Sequence, residues 1–431
     1  MNLLNQLSKQ QKIVTLGSWL GWSLDGYDLV LMFFVIPVIS HLFFPSTNEL
    51  LSLLSTFAAY VITLVMRPIG GAFFGNFGDK VGRKRAMMIT IWGFSLATFS
   101  TGFLPTWDMV GVLAPILLVF LRFLQGFFAG GEWASGAAIT METAPRQLRG
   151  FLSGFLQSGF PFGFIMASLV FYFVSSTFSE KEFAEFGWRI LFFTGIVPGS
   201  IALFVRLKME QSKVWLEKSR EKKIHKFPLS QVFTNKEYRK RFFLALVIMT
   251  GLMYSYYTSL GFFPTLLQHF LHVDIVDSSK LMIFATVTSF IGTIFVGYLS
   301  QIIGRQKAMA VFAIASVIFA IPSIYGLYHA TFYGLYLSVV AISFVATTGF
   351  GAIPAFLSER FPTEIRNSAA GFAYNGGLFF GAIAPIVALN LSSQSLEFAP
   401  ILLGLNIILG SVIILIGTKL NPETKEVDLA R

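Results

Sequence analysis

Asp25, Asp28, Arg67, Arg122 and Glu132 lie inside long apolar stretches of this 431-residue chain. A charged side chain in hydrocarbon costs about 2.5–3.5 kcal/mol or more, so each of the five is a functional candidate by default. Asp25 and Asp28 are three residues apart, which on a helix sets both carboxylates on one side. A carboxylate removed from water resists its charge, and a neighbouring guanidinium restores it; that balance suits a group that takes up and releases protons. The planar fork of Arg122 matches a carboxylate with two hydrogen bonds. At 1.5 Å per helical residue, Asp25, Asp28 and Arg122 fall at about the same depth, near the bilayer midplane. The expectation is that Asp25 or Asp28 takes up a proton and frees Arg122 to bind an anionic substrate. A permanent Asp–Arg pair pinning two helices is the alternative use of the same residues.

Arg67 and Glu132 sit nearer one membrane surface and are expected to form a second ionic pair, either structural or part of an inner gate; Glu132 is also a proton-coupling candidate. The second half of the chain has no comparable charges in mid-stretch. It offers Tyr254, Tyr256, Tyr257, Gln268, Tyr374, Asn375 and Asn406. Of these Tyr254, Tyr257, Tyr374 and Asn375, with Arg122 and Gln125 from the first half, are the candidate substrate contacts.

Other chemistries are excluded. The chain has no Cys, which removes disulfides, thiolate catalysis and Cys-based metal sites. No Gly-Lys-Ser/Thr phosphate loop and no His-Glu-x-x-His spacing occurs. An enzyme, a metal site and a bound cofactor are therefore not expected. His41, His269, His272 and His329 fall near the outer surface and read as exposed polar ends.

These side chains must be held by membrane-spanning helices. Hydrophobic residues make up 55% of the chain and charged ones 13%, about half the charged share of ordinary soluble domains. A soluble protein and a nucleic-acid binder are excluded, although the net charge is +10. Twelve stretches are long enough to cross a bilayer, at about 14–40, 50–76, 86–104, 110–139, 149–175, 188–207, 241–269, 280–303, 307–328, 332–357, 367–391 and 397–419. The polar segment 208–240, with a possible interfacial helix around Trp215, divides a bundle over 1–207 from one over 241–431. Of the 32 Lys and Arg residues, Lys181, Arg189 and Lys280 lie in outer loops, and Arg67 and Arg122 lie inside spans. The rest fall in the termini and the loops on their side. This asymmetry places both termini in the cytoplasm.

The halves repeat each other. Gly75-x-x-x-Asp79-x-x-Gly82-Arg83-Lys84-Arg85 aligns with Gly297-x-x-x-Gln301-x-x-Gly304-Arg305-Gln306-Lys307. Glu142-x-x-Pro145-x-x-x-Arg149 aligns with Glu359-x-x-Pro362-x-x-x-Arg366. Parallel six-helix repeats build alternating access around a central site. The first of these loops resembles the signature of the major facilitator superfamily. Leu24-Asp25-Gly26-Tyr27-Asp28, Arg67-Pro68-x-Gly70-Gly71, Arg122-Phe-Leu-Gln125-Gly126 with Gly130-Gly131-Glu132, Gly187-Trp188-Arg189, and Gly371-Phe-Ala-Tyr374-Asn375 are similar to stretches of its sialate and metabolite proton-symporter families. The resemblance covers nearly the whole chain. It implies an all-α membrane protein of twelve helices in two pseudo-symmetric bundles, and a conformational role for Asp79, Arg83, Arg85, Glu142, Arg149, Arg305, Glu359 and Arg366. The reading is a monomeric, multi-pass transporter of a microbial plasma membrane, importing a small carboxylate such as lactate or a sialic-acid-like metabolite with protons. A carrier of a neutral sugar or zwitterion, and a proton antiporter exporting a metabolite or drug, are the alternatives.

Overall fold

The computed structural model describes residues 6–221, 227–267, 271–273, 275–329, 331–381 and 399–429. Gln268, His269 and the end of the expected eleventh span lie outside them. Among the described residues the chain is helical and forms no strand, as a backbone without water to bond to requires.

The first half comprises α1 (Lys9–Phe43), α2 (Glu49–Val81), α3 (Arg83–Thr101), α4 (Leu113–Thr143), α5 (Arg149–Gln157), α6 (Gly159–Thr177), α7 (Trp188–Thr194) and α8 (Ile196–Leu207). Two short helices follow, α9 (Lys213–Arg220) and α10 (Pro228–Thr234). The remainder comprises α11 (Lys236–Thr258), α12 (Ile275–Ile303), α13 (Arg305–Tyr328), α14 (Phe332–Thr347), α15 (Ile353–Arg360), α16 (Arg366–Gly381) and α17 (Ala399–Leu420). Nine helical stretches among the described residues are long and apolar enough to cross a membrane. The expected third, seventh and eleventh spans are helices too, as α3, α11 and α16.

Local sequence explains where these helices start and break. Ser8 and Gln11 form a reciprocal capping box at the start of α1, satisfying two backbone donors. Asn235 caps α11 by accepting from the backbone N–H of Glu237 and Tyr238. The expected fifth span is broken into α5 and α6 at Ser158, within the Gly154–Gly163 run that holds Pro161. The expected tenth is broken by a tight turn at Thr348–Ala352. Breaks of this kind gather at functional sites. Gly82 and Gly304, equivalent in the two repeats, have φ of 110° and 101°, a left-handed conformation that favours glycine. Both turns feed directly into a helix, α3 and α13.

In the first half α2 packs along α4, α1 along α6, and α3 along α4. In the second, α11 packs on α16 and α17, and α13 on α14 and α17. The two sets meet where α16 lies on α2 and α4 and where α12 lies on α5 and α6. The segment around Trp215 forms α9, but it lies on the protein: the Trp215 indole donates to the Asp79 carbonyl at 2.7 Å. The two described ends of the chain occupy one face, where Leu7 and Leu429 share an apolar cluster with Met141, Leu148, Leu152 and Ala355.

Candidate functional site

Arg67, buried in mid-α2, pairs with Asp25 of α1. The close approach of α2 to α4 sets its position: a Cβ on Gly130 would strike the Arg67 carbonyl, so only glycine lets the helices meet here. Beside this pair lies a cavity of about 40 Å³ between the two sets of helices. It has room for a few water molecules, so a larger solute enters only if side chains part. Arg67 is the one charged side chain among its lining residues. Two buried donors on that lining, Arg67 Nε and Trp22 Nε1, have no hydrogen-bond acceptor among the described residues. Unpaired buried donors are costly, and they are where an acceptor belonging to a solute would bind.

Six aromatic side chains share the wall with Gln157, Ser289, Thr293 and Thr347 and with apolar residues. Trp22 and Phe160 come from the first half and Tyr256, Tyr257, Phe350 and Tyr374 from the second. Trp22 lies 5.8 Å from Tyr374, and Phe160 lies 6.1 Å from Tyr256, between ring centroids, so rings from both halves meet across the cavity. Tyr374 also stacks on Trp133 at 3.7 Å. Gln157 fixes both rings, accepting from Trp133 Nε1 at 3.1 Å and donating to the Tyr374 hydroxyl at 3.0 Å.

Asp28 turns elsewhere. It stands beside Thr98 and Gln125, and Arg122 is the charge that acts on it most strongly, without closing to a salt bridge. Positions i and i+3 differ by about 60° around a helix, enough to aim Asp25 at α2 and Asp28 at α3 and α4. One Asp28 oxygen, Oδ1, has no donor, and neither does Arg122 Nε have an acceptor, among the described residues. Arg122 donates to Thr101 at 3.0 Å and lies over the Phe192 ring at 5.3 Å. Gln125 donates to Thr98 at 2.8 Å. This polar nest is buried and does not line the cavity.

Arg67 and Glu132 are not partners. Glu132 pairs with Arg206 of α8, and its second oxygen accepts from Arg206 Nη1 at 2.9 Å and from Thr90 at 2.8 Å. Arg206 also donates to the carbonyls of Gly17 and Met87. Each of its three nitrogens donates, and α1, α3, α4 and α8 are tied at one point. Arg206→Gln should lower stability by about 3–5 kcal/mol, the cost of leaving a buried charge unpaired. Thermal unfolding of the purified protein checks this, and Glu132→Gln in the same chain should recover most of the loss.

The face bearing the termini is closed by two related charge clusters. Glu142 binds Arg83 at 3.1 Å and Arg366, from the other half, at 2.8 Å. Glu359 binds Arg305 at 2.9 Å and Arg149, from the other half, at 3.2 Å. Asp79 accepts from the backbone N–H of Asn367 and Ser368 at 3.1 and 2.8 Å, capping α16. Gln301, its counterpart, caps α5 by accepting from Gly150 N at 2.7 Å. The equivalent position thus does the same task without a charge. Arg85 is exposed and takes no part in either cluster. Because each glutamate joins an arginine of its own half to one of the other half, Glu142→Gln with Glu359→Gln should open this face. Each substitution should shift the closed–open balance about tenfold. Spin labels on cysteines introduced at 85 and 307, in a chain with no native Cys, should report a longer distance.

Of the residues the sequence singles out as substrate contacts, Tyr257 and Tyr374 line the cavity. Tyr254 instead donates to Asn406 of α17. Asn375 donates to the Gly130 and Gly371 carbonyls at the α4–α16 contact. Arg122 and Gln125 belong to the Asp28 nest. Arg67, expected as a gate, is the cavity's charge. Trp22, Gln157, Phe160 and Phe350 are lining residues the sequence reading did not select. The one available signal was the Gly/Pro-rich break that carries Gln157 and Phe160. His41, His272 and His329 are exposed, and among the described residues no three His, Asp or Glu side chains gather as a metal site.

Known proteins resemble this chain in sequence and in fold. The family model described as Major Facilitator Superfamily matches residues 13–385. The Proline/betaine transporter of Escherichia coli (strain K12) is 31% identical over 405 residues, covering 90% of this chain and 79% of that one. A Putative metabolite transport protein of Haemophilus influenzae is 29% identical over 441 residues, covering 99% and 96%. The proton:xylose symporter XylE bound to 6-bromo-6-deoxy-D-glucose superposes with a TM-score of 0.81 at 18% identity, covering 98% of each chain. A helical chain built of two matched repeats, with a charged cavity between them and relatives that carry metabolites, belongs to the Major Facilitator Superfamily and is a membrane-embedded secondary transporter of metabolites, not an enzyme.

Proposed function

We propose that the chain is a proton-coupled importer of a small zwitterion, bearing a carboxylate at one end and a substituted ammonium at the other. The observation that carries this is the pairing, in one cavity, of a single guanidinium with six aromatic rings. Arg67 and the Trp22 indole supply donors for a carboxylate. The faces of Tyr256, Tyr257, Phe350 and Tyr374 attract a soft cation, and do so best when water is excluded. The likeness to carriers of proline and betaine supports the same reading. The lactate-like anion expected from sequence would use Arg67 but leave the aromatic wall without a cation to hold.

In this mechanism the bundles over 1–207 and 241–431 rock about the cavity, with 208–240 as their cytoplasmic link. The protein acts as a monomer in the plasma membrane with both termini inside. Asp28 carries the proton: taking one up neutralises a charge that its buried surroundings oppose, and frees Arg122 from the carboxylate. Asp25 holds Arg67 until a substrate carboxylate replaces it. Opening of the charge clusters at Glu142 and Glu359 then exposes the cavity to the cytoplasm.

Charge movement separates the readings. One proton with a zwitterion carries one net charge, worth about 2.3 kcal/mol per 100 mV, whereas one proton with a monoanion carries none. In proteoliposomes clamped at 100 mV, inside negative, with no pH difference, betaine or proline should accumulate about 50-fold. Lactate accumulation driven by a pH difference and indifferent to voltage, with no response of betaine or proline uptake to voltage, would return the assignment to an organic anion.

A further inference from the structure

Away from the central cavity a second one of about 220 Å³ opens at the face bearing the termini, between the start of α11, the end of α15 and the tail after α17. Arg360, the last residue of α15, lines it and is 8% exposed. Its Nε has no acceptor among the described residues, and no ion pair satisfies its charge there. The nearby acids are engaged elsewhere, and Asp428, the third acid on the lining, is not free either. Glu237 pairs with Arg241, and Glu359 holds Arg305 and Arg149. Both Glu423 oxygens accept backbone N–H groups, from Arg305 at 2.8 Å and from Gln306 at 3.1 Å. A second guanidinium, that of Arg241, lines the same cavity and donates to the Arg360 carbonyl at 3.3 Å. Arg241 and Arg360 therefore adjoin a space larger than a water needs, which Arg366, Glu359, Glu423 and Asp428 also line, and Arg360 is buried without a counter-ion among the described residues. A buried charge in that position is costly unless something pairs with it.

We infer that this cavity is a binding site for a phosphate-type oxyanion, held by Arg360 and Arg241. The fork of a guanidinium matches a phosphate with two hydrogen bonds. Two sources fit: a free phosphate, or the headgroup phosphate of an anionic lipid. The exposed Lys236, Arg239 and Lys240 on the first turns of α11 would draw either to the mouth. The opposite wall is the tail, including Glu423 and Val427. The Val427 carbonyl accepts from Arg149 of the first half at 3.0 Å, and the Leu429 carbonyl accepts from Arg366 at 2.8 Å.

The test uses the full chain in detergent and in vesicles. Inorganic phosphate at fixed ionic strength should raise the melting temperature, since a ligand of the folded state stabilises it by mass action; chloride at the same ionic strength should not. Phosphatidylglycerol should be retained over phosphatidylcholine in native mass spectra. A response to phosphate alone identifies a soluble ligand, and retention of phosphatidylglycerol alone identifies a lipid; either supports the site. Arg360→Gln should weaken the responding ligand at least about tenfold. Arg241→Gln should weaken it less, and Arg360→Lys should keep part of it, which guards against a misfolded glutamine variant. If neither ligand distinguishes the native chain from Arg360→Gln and Arg241→Gln, the site does not exist. None of these readouts involves transport, so the proposed zwitterion substrate stands or falls separately.

Discussion

Arg67→Gln should lower uptake of a betaine-like substrate at least about a hundredfold, the largest loss expected at any single position. The guanidinium is the one charge on the cavity lining, and truncating one member of a desolvated, hydrogen-bonded charge pair costs about 2–5 kcal/mol. Arg67→Lys keeps the charge but not the fork, and should still lose about tenfold or more. Removing Arg67 also strands Asp25, its partner in α1, so a loss of activity could reflect a loss of fold. The double variant Asp25→Asn with Arg67→Gln removes both charges. It should melt within a few degrees of the native protein and still fail to take up substrate. Recovery of uptake in the double variant would show that Arg67 serves only to neutralise Asp25, and the substrate assignment would then be wrong.

Asp28→Asn should separate binding from energy coupling. The variant should still exchange labelled for unlabelled substrate across the membrane, within a few-fold of the native rate. It should lose accumulation against a gradient entirely, whether the drive is pH or voltage. The reason is geometric. Asp28 lies among Thr98, Gln125 and Arg122, off the cavity lining, and its Oδ1 has no donor among the described residues. An asparagine fills that space but carries no exchangeable charge. Asp25→Asn should do the reverse: it loosens Arg67 and weakens substrate binding, yet leaves voltage-driven accumulation in place at saturating substrate. If Asp28→Asn accumulates substrate normally and Asp25→Asn does not, the proton carrier is Asp25, and the roles given to the two carboxylates must be exchanged.

The two aspartates show how far sequence reasoning reached. Their spacing, and the cost of charge in an apolar stretch, were enough to mark both as working residues. A one-dimensional depth estimate then brought both to Arg122. It ignored direction around the helix axis, and about 60° of rotation sends them to different neighbours. Arg67 and Glu132 fail as a pair for a related reason. Equal depth is not contact, and Arg206, counted from sequence among the loop charges, is the residue that reaches Glu132. The aromatic wall was illegible because 49 Phe and 7 Trp residues give no way to tell a lipid-facing ring from a cavity-facing one.

The charge clusters at the closed face were the most legible part. Repeated motifs at equivalent places in two halves named Arg83, Glu142, Arg149, Arg305, Glu359 and Arg366 before any contact was known. What the motifs could not give was the exchange of partners, in which each glutamate takes one arginine from its own half and one from the other.

The amino-acid sequence by itself determined that the chain enters a membrane, how its helices are spaced, that the halves repeat, and which charges must matter. Those follow from local quantities: apolar length, the cost of a buried charge, and periodic motifs. Tertiary structure alone decided that Arg67 faces the cavity, that Asp28 stands apart from it, and that Arg360 is left without a counter-ion among the described residues. Those depend on how each helix is rotated and how closely it meets its neighbours, which packing across the whole bundle fixes and no single segment encodes.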